Sequence, residues 1–186
     1  MTHSAPSADT ELLHTETGEN MANITLKGNP IHTTGELPAL GTPAPDFTLT
    51  GPDLTDVSLA DFGSKRKILN IVPSLDTGVC AASAIRFNRD VTTKENTVVV
   101  NVSCDLPFAA KRFCDSNGIE NVHTLTAMRD RTFGERYGLT MTDGPFAGIF
   151  ARAVVVLDED NRVTYTELVP EIAQEPDYDA ALKAID

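Results

Sequence analysis

Apolar residues gather in a few short runs along this chain. Lys67–Val72 (KILNIV) and residues 97–103 (TVVVNVS) are nearly unbroken and read as buried strands. Residues 151–158 (ARAVVVLD), EDN and 162–169 (RVTYTELV) form a strand–turn–strand unit. Helical stretches are expected at Gly78–Asp90 and from Asp105 and Pro107 to about Ser116, where Asn117-Gly118 stops the second one. A short strand at Val122–Thr126, a short helix at Arg131–Tyr137 and an amphipathic helix over 177–185 complete this part. Upstream, Ile24–Lys27 and Ile31–Thr33 flank Gly28-Asn29-Pro30 as a β-hairpin. The Pro- and Gly-rich segment after it holds two strand candidates, Phe47–Leu49 and Asp56–Ser58.

Strands thus alternate with helices, and a hairpin and a last helix follow. That order predicts an α/β protein with a central mixed sheet flanked by helices, parallel in its β-α-β part and antiparallel in its final hairpin. A thioredoxin-like fold with an added N-terminal β-hairpin matches it. Residues 1–20 hold four acidic residues, no Lys or Arg and no apolar periodicity, and read as a disordered tail before one domain over 21–186. Met21 is a possible second translation start.

Charge and length narrow the function. The 186 residues suffice for one hydrophobic core, and the net charge of −12 disfavours nucleic acid as a partner. There is neither a signal-peptide pattern nor an apolar run long enough to span a bilayer, so a cytoplasmic location is expected. No Gly-rich phosphate loop appears, and Cys80, Cys104, Cys114 and the four histidines lack metal-ligand spacing. No cofactor and no metal are expected.

Three cysteines cannot all pair within one chain. Cys80 ends the stretch Pro73-Ser-Leu-Asp-Thr77-Gly-Val-Cys80, between a buried strand and a helix. With Thr77 as N-cap, Cys80 falls in the first helical turn, where unpaired N–H groups and the helix dipole stabilise an anionic sulfur. On these grounds alone it is a nucleophile or a small buried hydrophobe, and the missing Cys-x-x-Cys pair argues against a dithiol oxidoreductase.

The Pro-x-x-x-Thr-x-x-Cys spacing resembles the peroxiredoxin signature. With NITLKGNPIHTTGELPALGTPAPDFTLT, DLPFAAKRFC, DGPFAGIFARAVVVLDED and EPDYDAAL, the resemblance narrows to the bacterial thiol peroxidases, the atypical two-cysteine group. It covers about residues 23–186. It implies that Cys80 is the peroxidatic cysteine, attacking a peroxide and becoming a sulfenic acid. Thr77 would hydrogen-bond the sulfur and peroxide oxygen, Pro73 would shield the sulfur from water, and Arg152 would supply the cation. Cys114, at the end of DLPFAAKRFC, would resolve the sulfenic acid through a transient disulfide, leaving Cys104 as a spare thiol.

The resemblance further implies hydrogen peroxide and organic hydroperoxides as substrates, thioredoxin as reductant, a homodimer and a role in antioxidant defence. Leu75, Val79, Phe146, Ile149 and Phe150 are candidates to line an apolar entrance, or equally to serve as core or dimer contacts. Two other readings use the same residues: a peroxide sensor passing oxidation to a partner, and a non-catalytic binding module.

Overall fold

The computed structural model describes residues 21–185, so the expected acidic tail lies outside the described residues. Nine strands and four helices follow in chain order. Strands β1 (Asn23–Leu26) and β2 (Asn29–His32) form a separate antiparallel hairpin. The other strands are β3 (Thr48–Thr50), β4 (Asp56–Ser58), β5 (Arg66–Ile71), β6 (Thr97–Ser103), β7 (His123–Thr126), β8 (Ala153–Leu157) and β9 (Val163–Leu168). They make one sheet in the order β4-β3-β7-β6-β5-β8-β9. Pairing is parallel for β5–β6 and β6–β7 and antiparallel elsewhere. This is the expected mixed sheet of a thioredoxin-like fold, with the two early strands forming its far edge.

The helices are α1 (Gly78–Asp90), α2 (Pro107–Asn117), α3 (Phe133–Arg136) and α4 (Tyr178–Lys183). Alternation along the strands divides the core. Leu69, Ile71, Val100 and Val102 face a cluster with Phe133, Tyr137 and Phe150. Ile68, Val99, Val154 and Val156 face the other way, against Phe87 of α1 and Tyr178 and Ala181 of α4. A smaller cluster on the helix side joins Val72, Leu75, Cys80 and Ala84 to Ala110, Phe113 and Ile119, with Cys114 packed against it.

Two local expectations need correction. The hairpin turn is Lys27-Gly28, not Gly28-Asn29-Pro30: both turn residues have positive φ (52° and 80°), as a two-residue type I′ turn requires. Pro30 instead pairs with Thr25 in an edge strand, where its missing N–H does no harm. Helix α2 starts at Pro107, with Leu106 in the N-cap position and no side-chain cap. Asp105, expected to open that helix, turns its carboxylate elsewhere. Gly118 does stop α2: its left-handed φ of 63° lets its N–H reach the Cys114 carbonyl.

Candidate active site around Cys80

The site lies where β5 runs out and α1 begins. Thr77 occupies the N-cap position of α1 with an extended backbone, but its hydroxyl makes no cap bond. Its Oγ1 lies 2.8 Å from Cys80 Sγ and 3.2 Å from the Ser74 carbonyl. The first-turn N–H groups of α1, Cys80's own among them, have no intrahelical partners, and the positive end of the helix dipole lies there. Cys80 is fully buried.

Arg152 arrives from the opposite strand. Strand β8 runs antiparallel to β5 and pairs Ala153 with Ile71, so the residue before β8 sits beside the loop after β5. Arg152 is only 1% exposed, and its Nη2 donates to Cys80 Sγ at 3.3 Å. Nε and Nη2 both reach the Ile172 carbonyl at 3.1 Å. Nη1 is buried without a hydrogen-bond partner among the described residues. A solvated strand-end arginine is therefore ruled out. A buried guanidinium stripped of one partner is costly, and it leaves a donor ready for a ligand.

A cavity of about 170 Å³ opens against these groups. It is lined by Pro73, Thr77, Gly78, Val79 and Arg152 together with Leu26, Phe146, Ile172 and Ala173. Of the five apolar residues expected at an entrance, Val79 and Phe146 line this cavity. Leu75 is buried in the cluster around Cys80, and Phe150 and Ile149 pack in or against the core on the opposite face of the sheet.

The three thiols are unpaired and differ in setting. Cys114, half-buried on α2, shares an apolar cluster with Cys80, and its Sγ lies 3.3 Å from Thr124 Oγ1. Burial pushes the Cys114 thiol up, and Thr124 partly offsets that. Cys104 packs against the core cluster on the opposite face, and burial raises it too. Burial thus disfavours the thiolate at both, and a guanidinium and a hydroxyl both meet the sulfur of Cys80.

A buried polar row joins the two cysteine helices. Ser83 Oγ on α1 donates to Asn70 Oδ1 at 2.8 Å, and Asn70 Nδ2 to Asn101 Oδ1 at 2.8 Å. Asn101 Nδ2 then reaches Thr124 Oγ1 at 3.4 Å, next to Cys114. Asn70, Asn101 and Thr124 are direct neighbours on β5, β6 and β7, so strand register alone aligns them.

Sequence reasoning missed Asp105, Glu171, Leu26 and Ile172. Asp105 Oδ1 accepts from Ser74 Oγ at 2.7 Å, and Oδ2 from the Leu75 N–H at 2.8 Å and Ser103 Oγ at 2.9 Å. Glu171 accepts from Thr25 Oγ1 and from the backbone N–H groups of Lys27, Gly28 and Ala173, which hold its carboxyl down at about 2. It thereby ties the hairpin to the segment carrying Ile172. Only the Asp105-x-Pro107 spacing left a trace in sequence, and that trace pointed to a helix cap.

Known proteins share this arrangement of elements. Residues 39–182 match the Redoxin family. The chain is 58% identical over 165 residues to a thiol peroxidase of Mycobacterium tuberculosis, covering 89% of this chain and 99% of that protein, and equally to one of Mycobacterium bovis. Among solved structures, a peroxiredoxin-like protein from Aquifex aeolicus superposes with a TM-score of 0.83 at 38% identity, over 89% of this chain and 97% of the other. A thiol peroxidase from Chromobacterium violaceum reaches a TM-score of 0.80 at 24% identity, over 87% and 93%, a likeness of fold. No helix among the described residues is long and apolar enough to cross a membrane.

Proposed function

The chain belongs to the Redoxin family, among the thiol peroxidases of the peroxiredoxin kind, and we propose that Cys80 is its peroxidatic cysteine and Cys114 its resolving cysteine. One observation carries this reading: the Cys80 sulfur meets a hydroxyl at 2.8 Å and a buried guanidinium at 3.3 Å beside a cavity of about 170 Å³. Both donors favour negative charge on sulfur, and both residues line the cavity from which they can donate to a peroxide's oxygens.

The cycle follows from those positions. The Cys80 thiolate attacks the terminal oxygen of a hydroperoxide; the O–O bond breaks, and the departing oxygen takes up the proton that the thiol gave to solvent and leaves as water or an alcohol. Cys80 becomes a sulfenic acid. Arg152 Nη1 supplies a donor for the departing oxygen. The Cys114 thiol then displaces the sulfenic hydroxyl as water, forming the Cys80–Cys114 disulfide. A thioredoxin dithiol reduces that disulfide by exchange and leaves oxidised itself. Pro73, buried in the cavity wall, keeps water from the sulfur. The apolar lining suits the alkyl part of organic hydroperoxides, and hydrogen peroxide is small enough to enter as well. A homodimer working in the cytoplasm in antioxidant defence completes the reading, and sedimentation of the purified protein tests the oligomer.

Peroxide-dependent oxidation of NADPH, coupled through thioredoxin and thioredoxin reductase, is the test. Sustained turnover is expected, and Cys80→Ser abolishes it. One stoichiometric oxidation without NADPH consumption points instead to a sensor. An unchanged rate in Cys80→Ser overturns the assignment.

A further inference from the structure

Asp105 links the two cysteine-bearing segments. It stands two residues before the first residue of α2, the Cys114 helix, while its carboxylate reaches back to the loop that carries Thr77 and leads into the first turn of α1 at Cys80. The path is continuous. Asp105 accepts from Ser74 Oγ and Leu75 N–H, the Ser74 carbonyl accepts from Thr77 N–H at 3.2 Å, and the Thr77 hydroxyl sits between that carbonyl and the Cys80 sulfur. The carboxylate is half-buried and anchored to the end of β6 by Ser103 Oγ. A second polar tie between loop and helix, Arg112 to Asp76, is 3.8 Å long with both side chains exposed, and such pairs contribute little.

The same tie opposes the second chemical step. Cys80 and Cys114 are both free, and a disulfide needs Cα atoms about 4.4–6.8 Å apart. Cys80 Sγ is engaged by Thr77 and Arg152 and Cys114 Sγ by Thr124, so joining the two sulfurs breaks these contacts and shifts the segments that carry them. Such a shift pulls Ser74 and Leu75 away from Asp105.

Resting on the peroxidatic and resolving assignments above, we propose that Asp105 is a positioning residue that holds the Cys80 loop in its peroxide-reactive shape and must let it go before the Cys80–Cys114 disulfide forms. It touches neither peroxide nor sulfur. It sets how long the sulfenic acid lasts: the tie favours the step that consumes peroxide and retards the step that expels water. A longer-lived sulfenic acid is also more open to a second peroxide, which oxidises it to the sulfinic acid.

Rapid quenching of the full-length protein with N-ethylmaleimide, followed by intact-mass analysis, separates the steps by counting free thiols, sulfenic acid and disulfide over time. In Asp105→Asn, one acceptor becomes an amide donor. Oxidation of Cys80 by hydrogen peroxide should slow about tenfold, and disulfide formation should quicken about tenfold. Sulfinic acid at excess peroxide should fall accordingly. Ser74→Ala, which removes one of the three donors, should move both rates in the same directions by less, and it serves should Asp105→Asn fold poorly. Opposite changes in the two steps are not what general loosening produces. Both steps slowing together in both variants, or neither changing, overturns the proposal while the peroxidase reading stands. A wild-type protein whose Cys80 does not react with peroxide overturns that reading, and this inference with it.

Discussion

Thr77 Oγ1 lies 2.8 Å from Cys80 Sγ, and the Thr77 side chain makes no bond to the backbone of the helix it precedes. An N-cap threonine ordinarily accepts from the N–H of the second or third helical residue. Cys80 is that third residue, at the spacing of a capping box. The hydroxyl has been turned from the backbone of the third residue to its side chain, so a motif that usually stabilises a helix end here orients a nucleophile.

Thr77→Val keeps the shape and loses the hydroxyl. The rate of Cys80 oxidation should fall about 10²-fold, whereas Thr77→Ser should stay within about tenfold of wild type. Peroxide competition kinetics with the three proteins provides the check; equal rates for Val and Thr would remove the hydroxyl from the mechanism.

Arg152→Met should abolish most peroxide reactivity, by about 10²-fold or more, with only a modest change in stability. The guanidinium is buried and meets no carboxylate among the described residues, so its removal relieves a desolvation cost while leaving the Ile172 carbonyl without its donors. Urea unfolding beside the rate measurement tests this. A collapse of stability matching the loss of activity would make Arg152 structural.

Cys114→Ser should still oxidise Cys80 once but fail to cycle with thioredoxin. Cys104→Ser should cycle normally, because Cys104 packs on the opposite side of the sheet from the cluster that Cys80 and Cys114 share. Non-reducing peptide mapping of the oxidised protein reads the pairing directly, and a Cys80–Cys104 bridge would refute it.

Asn101→Ala should destabilise the fold by about 2–4 kcal/mol. It strands the Asn70 amide and removes the donor to Thr124, both buried at the centre of the sheet. Equilibrium urea unfolding measures the loss; a change under about 1 kcal/mol would mean that the polar row is not satisfied as a unit.

Glu171→Gln should loosen the hairpin in a pH-dependent way. The folded carboxyl is held at about 2, below its ordinary 4.5, by Lys27 N–H first and then Thr25 and its other donors. A depressed carboxylate stabilises the fold above its unfolded pKa, and that contribution fades as pH drops from about 4.5 through about 2. The melting temperature of Glu171→Gln should therefore sit below wild type at neutral pH, and the two should converge toward pH 2. A gap that persists unchanged at low pH would assign the effect to packing instead.

The order of strands and helices was legible in the sequence because each element has its own local signal. Lys67–Val72 and 97–103 are too apolar and too short to be anything but interior strands, and Gly118 ends α2 where expected. Cys80 and Thr77 were legible for the same reason: they are three residues apart, and one helix start places both. Arg152 is 72 residues from Cys80, and only the antiparallel register of β8 on β5 brings it to the sulfur. Asp105 carried a misleading signal, since an acidic residue near Pro107 is ordinary helix-start chemistry and nothing local reveals that its carboxylate is claimed by a loop 30 residues earlier. Leu26 and Ile172, unlike Phe146, had no signal as cavity residues: they are unremarkable in sequence, and their meaning comes from the strands and ties that carry them there. Sequence alone thus determined the elements, the nucleophile candidate and its neighbouring hydroxyl, because those follow from backbone hydrogen bonding within a few residues. Tertiary structure decided which cation, which carboxylate and which apolar wall surround that nucleophile, because those contacts form only when distant strands find their register.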